Sequence, residues 1–482
     1  MAWRRGGSRA QRGACHVCKR AGGTLRIPGV SVIRAAATAL IGSTLLIGSC
    51  SQRDVTGPLP APGGAWTIAW GATSHTLVQP TPTMDRETEL RFWTGFAMFR
   101  DPWVKAPSST TARDGLGPLF SARSCQSCHA GAGRGDSLLN DPDTPAMAFK
   151  LADVDDLHER FGDQLQTRAI YDATGVGERL SGFYPGEPRP GVELETLELD
   201  GTDITLTRVH ASVSDIPAYA ISPRVAPGLV GLGLLEAIPQ SRLEALEDLD
   251  DDNGDGVTGR VHWVGDGEAR VAGRFGWKAP HPSVATQTAD AFRNDIGITS
   301  VYNPVETCAP KQRECHEQRN GNGPQGDHEI NGILFETAVE FTASLAVPEA
   351  RRATAEVRRG QAVFDDLSCA ACHTPSHDIV VSGEQTTIWP YTDLLLHDMG
   401  PLLADGIPQG EATGGEWRTP PLWSLGLQQQ LNPETGFLHD GRAATIQEAV
   451  LWHGGEAATA AARFKALSKA EQDALTAFVL AL

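Results

Sequence analysis

A chain of 482 residues, 40% hydrophobic and 21% charged, has the composition of a folded globular protein with room for two or three domains, which excludes intrinsic disorder as its general state. Lys and Arg number 41 against 59 Asp and Glu, a net charge of −18, so nucleic acid is excluded as the expected partner, and a basic redox protein is the kind this field would attract. The 52 glycines and 31 prolines predict much turn-rich, irregular backbone.

The first 49 residues carry eight Lys or Arg and no Asp or Glu, and Ala35 to Gly48 is free of charge. That uncharged stretch is too short to span a bilayer and fits the apolar part of an export signal. Ile47-Gly48-Ser49-Cys50 reads as a lipoprotein cleavage box that would leave Cys50 lipidated; an ordinary cleaved signal with Cys50 incidental is the alternative. Without residues 1–49 the balance is 33 basic against 59 acidic residues, a net charge of −26. The expected location is the periplasm or the outer membrane of a bacterium, with the membrane reached through a lipid anchor only. Residues 50–84, rich in Pro, Gly and Thr, read as a tether.

Helical patterning runs from Asp85 to Phe99, and the first of two Cys-x-x-Cys-His pentapeptides follows at Cys125-Gln126-Ser127-Cys128-His129. The second is Cys369-Ala370-Ala371-Cys372-His373. In such a site both thiols add to haem vinyl groups and the adjacent histidine lies under the iron. At this chain's Cys and His frequencies only about 0.005 such pentapeptides are expected by chance. A zinc knuckle or a thioredoxin-like pair gives no reason for the histidine to follow directly at both places. The sequence therefore predicts two covalently bound c-type haems. Residues 85–345 form the expected first haem domain, enlarged by an insertion with strand-like pieces such as Val192 to Val209, and residues 346–482 form the second. The fold class is mainly α with irregular loops and a few short strands, organised as two cytochrome c-like haem domains.

In the second domain, Glu356 to Phe364 reads as a helix in which Gly360 permits close packing. Ser468-x-x-Glu471 is a capping box ahead of a helix that places Leu475, Phe478, Val479 and Leu482 on one face, and the two helices are expected to cross. Thr445-x-x-Glu448 caps a further helix through Trp452 and His453.

A second axial ligand, or its lack, separates an electron carrier from a catalyst. Met399, in His397-Asp398-Met399-Gly400-Pro401, is the expected sixth ligand of the second haem, with His397 as its competitor. For the first haem, Met147 and His158 follow His129 outside any motif, which leaves an open face as the more interesting case. Glu236, within the apolar run Leu229 to Ile238, reads either as an acid/base group near that haem or as an ion-pair partner of Arg224 or Arg242. Trp277 is an electron relay between haems or a core tryptophan. Asp251, Asn253 and Asp255 before Gly256 have the spacing of a calcium loop, but position twelve is His262, so a solvated acidic turn stays open. Cys308 and Cys315 are expected to form a disulfide closing a small surface loop.

Seven strings carry a resemblance: Gly115 to Phe120, Phe161 to Gln166, Val230 to Ile238, Phe275 to Ala279, Asp393 to Gly400, Glu416 to Trp423 and Phe437 to Arg442. Over roughly residues 90–482 the chain resembles the di-haem oxidoreductase family of exported bacterial proteins, distant relatives of di-haem cytochrome c peroxidases. The resemblance implies that His129 is the proximal ligand of a reactive haem and that Met399 completes an electron-transfer haem. It further implies Trp277 between the two haems, Glu236 as a catalytic group, and often a calcium ion. The activity expected is reduction of hydrogen peroxide, or oxidation of an unidentified small donor. The alternatives are a non-catalytic electron-transfer protein and a redox-linked accessory protein at the outer membrane.

Overall fold

Asp85 starts the first helix because its carboxylate accepts the Glu87 and Thr88 amides at 2.9 Å, and Arg86–Arg100 then buries Phe92, Gly95, Met98 and Phe99 on one face. The computed structural model describes residues 58–71, 73, 75–141, 144–170, 191–199, 202–213, 216–318, 321 and 328–482. Cys50 and the segment read as an export signal lie outside the described residues. Helices and short strands mix: the strands pair into two-stranded sheets and one three-stranded sheet, and no barrel closes. Among the described residues no helix is long and apolar enough to cross a membrane.

Two helix crossings organise the chain. Arg86–Arg100 packs on Gly332–Ala343, and Ala355–Asp366 packs on Lys469–Val479. Each contact is made at a glycine. A Cβ on Gly95 would lie 1.9 Å from the Thr337 carbonyl oxygen, and one on Gly360 would lie 1.8 Å from that of Ala474. The absence of side chains there lets backbone meet backbone, and the flanking rings of Phe92, Phe99 and Phe341 in one pair, Phe364 and Phe478 in the other, fill the seam. The expected crossing of the last helix is thus present, with Leu475, Phe478, Val479 and Leu482 all buried and the Ser468–Glu471 capping box formed.

The strand-like stretch after residue 190 is a hairpin of Gly191–Glu198 with Thr205–Ser212. Met147–Leu151 is the central strand of the three-stranded sheet, between Gln164–Leu165 and Ile221–Val225. The disulfide joins Cys308 to Cys315. Its loop is less peripheral than expected, since Cys315 is buried against Leu119 and Ala169.

The tether reading of residues 50–84 fails from Leu59 onward. Leu59, Trp66, Leu77 and Val78 are buried in the core, and Thr67–Ile68 pairs in parallel with Val347–Pro348. The Pro and Gly content that suggested a linker only spaces these apolar anchors.

Helix propensity alone makes Gly360→Ala stabilising by about 1 kcal/mol. The crossing predicts the reverse sign, a loss of about 1–3 kcal/mol from overpacking, read as a lower unfolding midpoint; a raised midpoint would contradict the packing described.

Candidate functional site

Each Cys-x-x-Cys-His motif is a short 3-10 turn, Cys125–Ser127 and Cys369–Ala371, and in each the histidine amide donates to the first cysteine's carbonyl, at 2.8 and 2.9 Å. That turn brings both thiols and the imidazole to one side. The His129 Nδ1–H donates to the Pro227 carbonyl at 2.8 Å, and the His373 Nδ1–H to the Tyr391 carbonyl at 3.0 Å. Burial pushes both imidazoles down to about 4, so each is neutral at physiological pH, the state in which a ring nitrogen can bind a metal. The four motif cysteines are not disulfide-bonded, and burial pushes Cys125 and Cys369 up to about 12.

Both motifs open on one internal cavity of about 510 Å³. Its size lies in the range of cofactor sites. The donor set suits covalent haem: two thiols and one neutral imidazole at each end, each imidazole oriented by a carbonyl as metal-bound histidines are. Among the described residues no three His, Cys, Asp or Glu side chains form a separate metal-ion cluster.

The two ends differ. Near Cys125 and Cys128 the wall is polar, formed by Lys150, Gln164, His281, Asp290 and Asp295. Asp295 lies in a π-helical turn, Phe292–Ile296, a distortion that often marks functional sites. Burial raises its carboxyl to about 6, although Gln164 Nε2 donates to it at 2.6 Å. Asp290 is held down to about 2, against its burial, by His281, Lys150 and Asn294. The wall near Cys369 and Cys372 combines apolar Phe364, Leu475 and Val479 with the charged pair His397 and Glu456, the His397 ring standing 3.6 Å from the Cys372 thiol. His453 also lines the cavity, its Nδ1–H donating to the Ala449 carbonyl at 2.7 Å. Burial first and then His453 lower His373, and burial lowers His453 itself.

Trp277, Trp417 and His439 also line the cavity. Trp277 is buried, its indole N–H donating to the Val225 carbonyl at 2.8 Å, with the Arg134 guanidinium 5.2 Å above its ring. His439 stacks on Trp417 at 3.7 Å, and burial together with Arg442, Arg224, Lys278 and Arg134 holds it neutral.

The other expected residues are placed as follows. Met399 lines the cavity and is packed where two core clusters meet. His397 donates from Nε2 to Asp393 at 2.9 Å and from Nδ1 to Glu456 at 2.7 Å, so both nitrogens are occupied and it is no ligand here. Met147 lines the cavity, whereas His158 turns to the Leu151 carbonyl. Glu236 is a correction: it is exposed at the end of the five-residue helix Leu232–Glu236, accepts the Val284 amide at 2.8 Å, and does not line the cavity. The suggested partner Arg224 is taken by Asp405 at 2.8 Å. In the acidic turn, Asp251 accepts the Gly256 amide, Asn253 that of Asp255, and Asp255 that of Val257, all exposed. His262 is buried with its Nδ1 on the Lys278 carbonyl. Sequence reading missed Asp295, His453 and the central arginines; a histidine at the end of a capped helix was the only available signal among them.

A family model described as "Di-haem oxidoreductase, putative peroxidase" matches residues 59–151 and 218–482. No curated protein matches significantly. A solved structure of Kuenenia stuttgartiensis hydrazine synthase pressurized with xenon is similar over 86% of this chain and 96% of that one, at 13% identity and a TM-score of 0.31, too weak a likeness to bear on the fold.

Because the folded state holds the Asp295 proton up to about pH 6 and the unfolded state only to about 3.8, stability due to this group falls as pH rises through that window. Relative to the wild type, Asp295→Asn should gain about 2 kcal/mol between pH 4 and pH 7 in chemical denaturation; an unchanged difference would show Asp295 to be solvated.

Proposed function

The chain belongs to the di-haem oxidoreductase family, and from that premise we propose an exported, peroxide-reducing protein. Its reactive haem site is the one at His129, and the site at His373 stores and delivers electrons. The reading is carried by one observation: the same motif geometry occurs twice on a shared cavity, and a carboxyl that keeps its proton to about pH 6, Asp295, stands at the first motif, whereas the charged groups at the second are paired as His397 with Glu456. The repeated helix crossing supports two cytochrome c-like modules, the first enlarged by residues after His129.

A c-type haem held by these residues would supply one-electron exchange and the redox chemistry of peroxide reduction. What the chain adds is orientation and protons. Cys125, Cys128 and His129 fix one group, and Cys369, Cys372 and His373 the other. Converting hydrogen peroxide to two waters consumes two electrons and two protons. Asp295, with its proton retained to about pH 6, is suited to hold and release one of them, and Lys150, His281 and Asp290 form the polar surround. This role replaces the one expected of Glu236.

His453 and Met399 both line the cavity with His373, and His453 would be the better second ligand for a haem held there, because its ring is neutral, buried and anchored through Nδ1 in the same manner as the two motif histidines. Trp277 and Trp417 line the cavity that the two sites share. The acidic surface suits a basic electron donor, and Cys50 a lipid anchor, at the periplasmic face.

Half-reduced holoprotein should give a high-spin ferric resonance from the first site and consume hydrogen peroxide. Two low-spin sites and no consumption would make it an electron carrier instead. His453→Gln should convert the second site to high spin while Met399→Leu leaves it low-spin; the reverse pattern would assign Met399.

A further inference from the structure

A buried guanidinium without a counter-charge is costly, so an anion is expected where one faces a cavity. Arg134 and Arg418 are 6% and 7% exposed, and both line the shared cavity. Arg134 donates from Nε to the Gly436 carbonyl at 2.5 Å and from a terminal nitrogen to that of Leu438. Arg418 donates to the Gly276 and Thr419 carbonyls at 2.9 and 3.0 Å. Carbonyls satisfy donors without cancelling charge, and each guanidinium has five N–H groups, of which these bonds use two.

Among the described residues neither arginine has an ion pair. Asp440 and Asp393 act on them only through space, and both are already committed, Asp440 to Arg442 at 2.7 Å and Asp393 to His397 at 2.9 Å. Arg224 and Lys278 share the single carboxylate of Asp405, at 2.8 and 3.1 Å. The cavity therefore has an excess of buried positive charge, carried by Arg134 and Arg418, with Arg224 and Lys278 sharing one carboxylate between them. An apolar ligand could not answer it.

We infer that Arg134 and Arg418 are the anchors of haem propionates, and that these carboxylates meet the chain beside Trp277. Each haem has two propionates, which supply the missing negative charge. Trp277 lies under Arg134 at 5.2 Å, and its carbonyl accepts the Arg418 amide at 2.9 Å, so one residue is held against both anchors. A positive charge beside a haem disfavours the more positive ferric state and keeps the propionates ionised.

The assignment rests on the two-haem reading, so haem content is counted in the same samples as the potentials. Arg134→Met and Arg418→Met, each with two bound haems, should have a lowered midpoint potential. Between pH 5 and 8 they should also acquire a pH dependence as the freed propionates begin to titrate. Arg→Lys at the same positions should restore most of the potential. Unmoved potentials with two haems present would overturn this assignment alone; a chain that binds no haem would overturn the two-haem reading with it. If the Met variants do not fold, infrared redox difference spectra of wild-type holoprotein with isotope-labelled propionates decide the matter. Ionised carboxylate bands throughout pH 5–8 are expected, and protonated carboxyl bands would contradict the anchoring.

Discussion

The hydrogen bond from each motif histidine's Nδ1 to a backbone carbonyl is the interaction on which the site depends. A Cys-x-x-Cys-His turn alone delivers an imidazole that can rotate. The carbonyls of Pro227 and Tyr391 fix the ring, settle its tautomer and leave it neutral in a buried place. Those carbonyls lie 98 and 18 residues beyond their histidines, so the two sites are equal in local chemistry and unequal in how much chain must fold to complete them. Lys150 and Gln164 come from within the long excursion after His129, whereas Asp295 and the helix that ends at His453 come from chain beyond the two carbonyls.

The helix crossings make this arrangement rigid. Gly95 and Gly360 allow backbone contact that no other residue would permit, and each crossing stands beside a motif turn. The aromatic seams border the cavity, where Phe99 and Phe364 form part of its wall, and the remaining wall concentrates charged and titratable side chains that a core would otherwise reject.

Much of this was legible in the sequence for physical reasons that are local. The thiol and imidazole spacing, the capping boxes at Ser468 and Thr445, the close-packing Gly360 and the Cys308–Cys315 disulfide all depend on residues near one another in the chain. What escaped depends on distance in sequence. Asp295 reaches the first site through a π-turn, and Arg134 finds its carbonyls about 300 residues away, at Gly436 and Leu438. Glu236 was misread because its apolar neighbours suggested burial on all sides, whereas a five-residue helix still has one outward position. Leu59 to Val78 was misread in the opposite direction, since composition hid a few well-spaced apolar anchors.

On this reading one folded chain holds two covalent haems on a single cavity. Intact-mass measurement of the denatured protein, produced in cells with a c-type haem attachment system, tests it most directly. The predicted result is polypeptide plus two haems, with one lost when Cys125 and Cys128 are replaced and the other when Cys369 and Cys372 are. A bare polypeptide mass under the same conditions would contradict it.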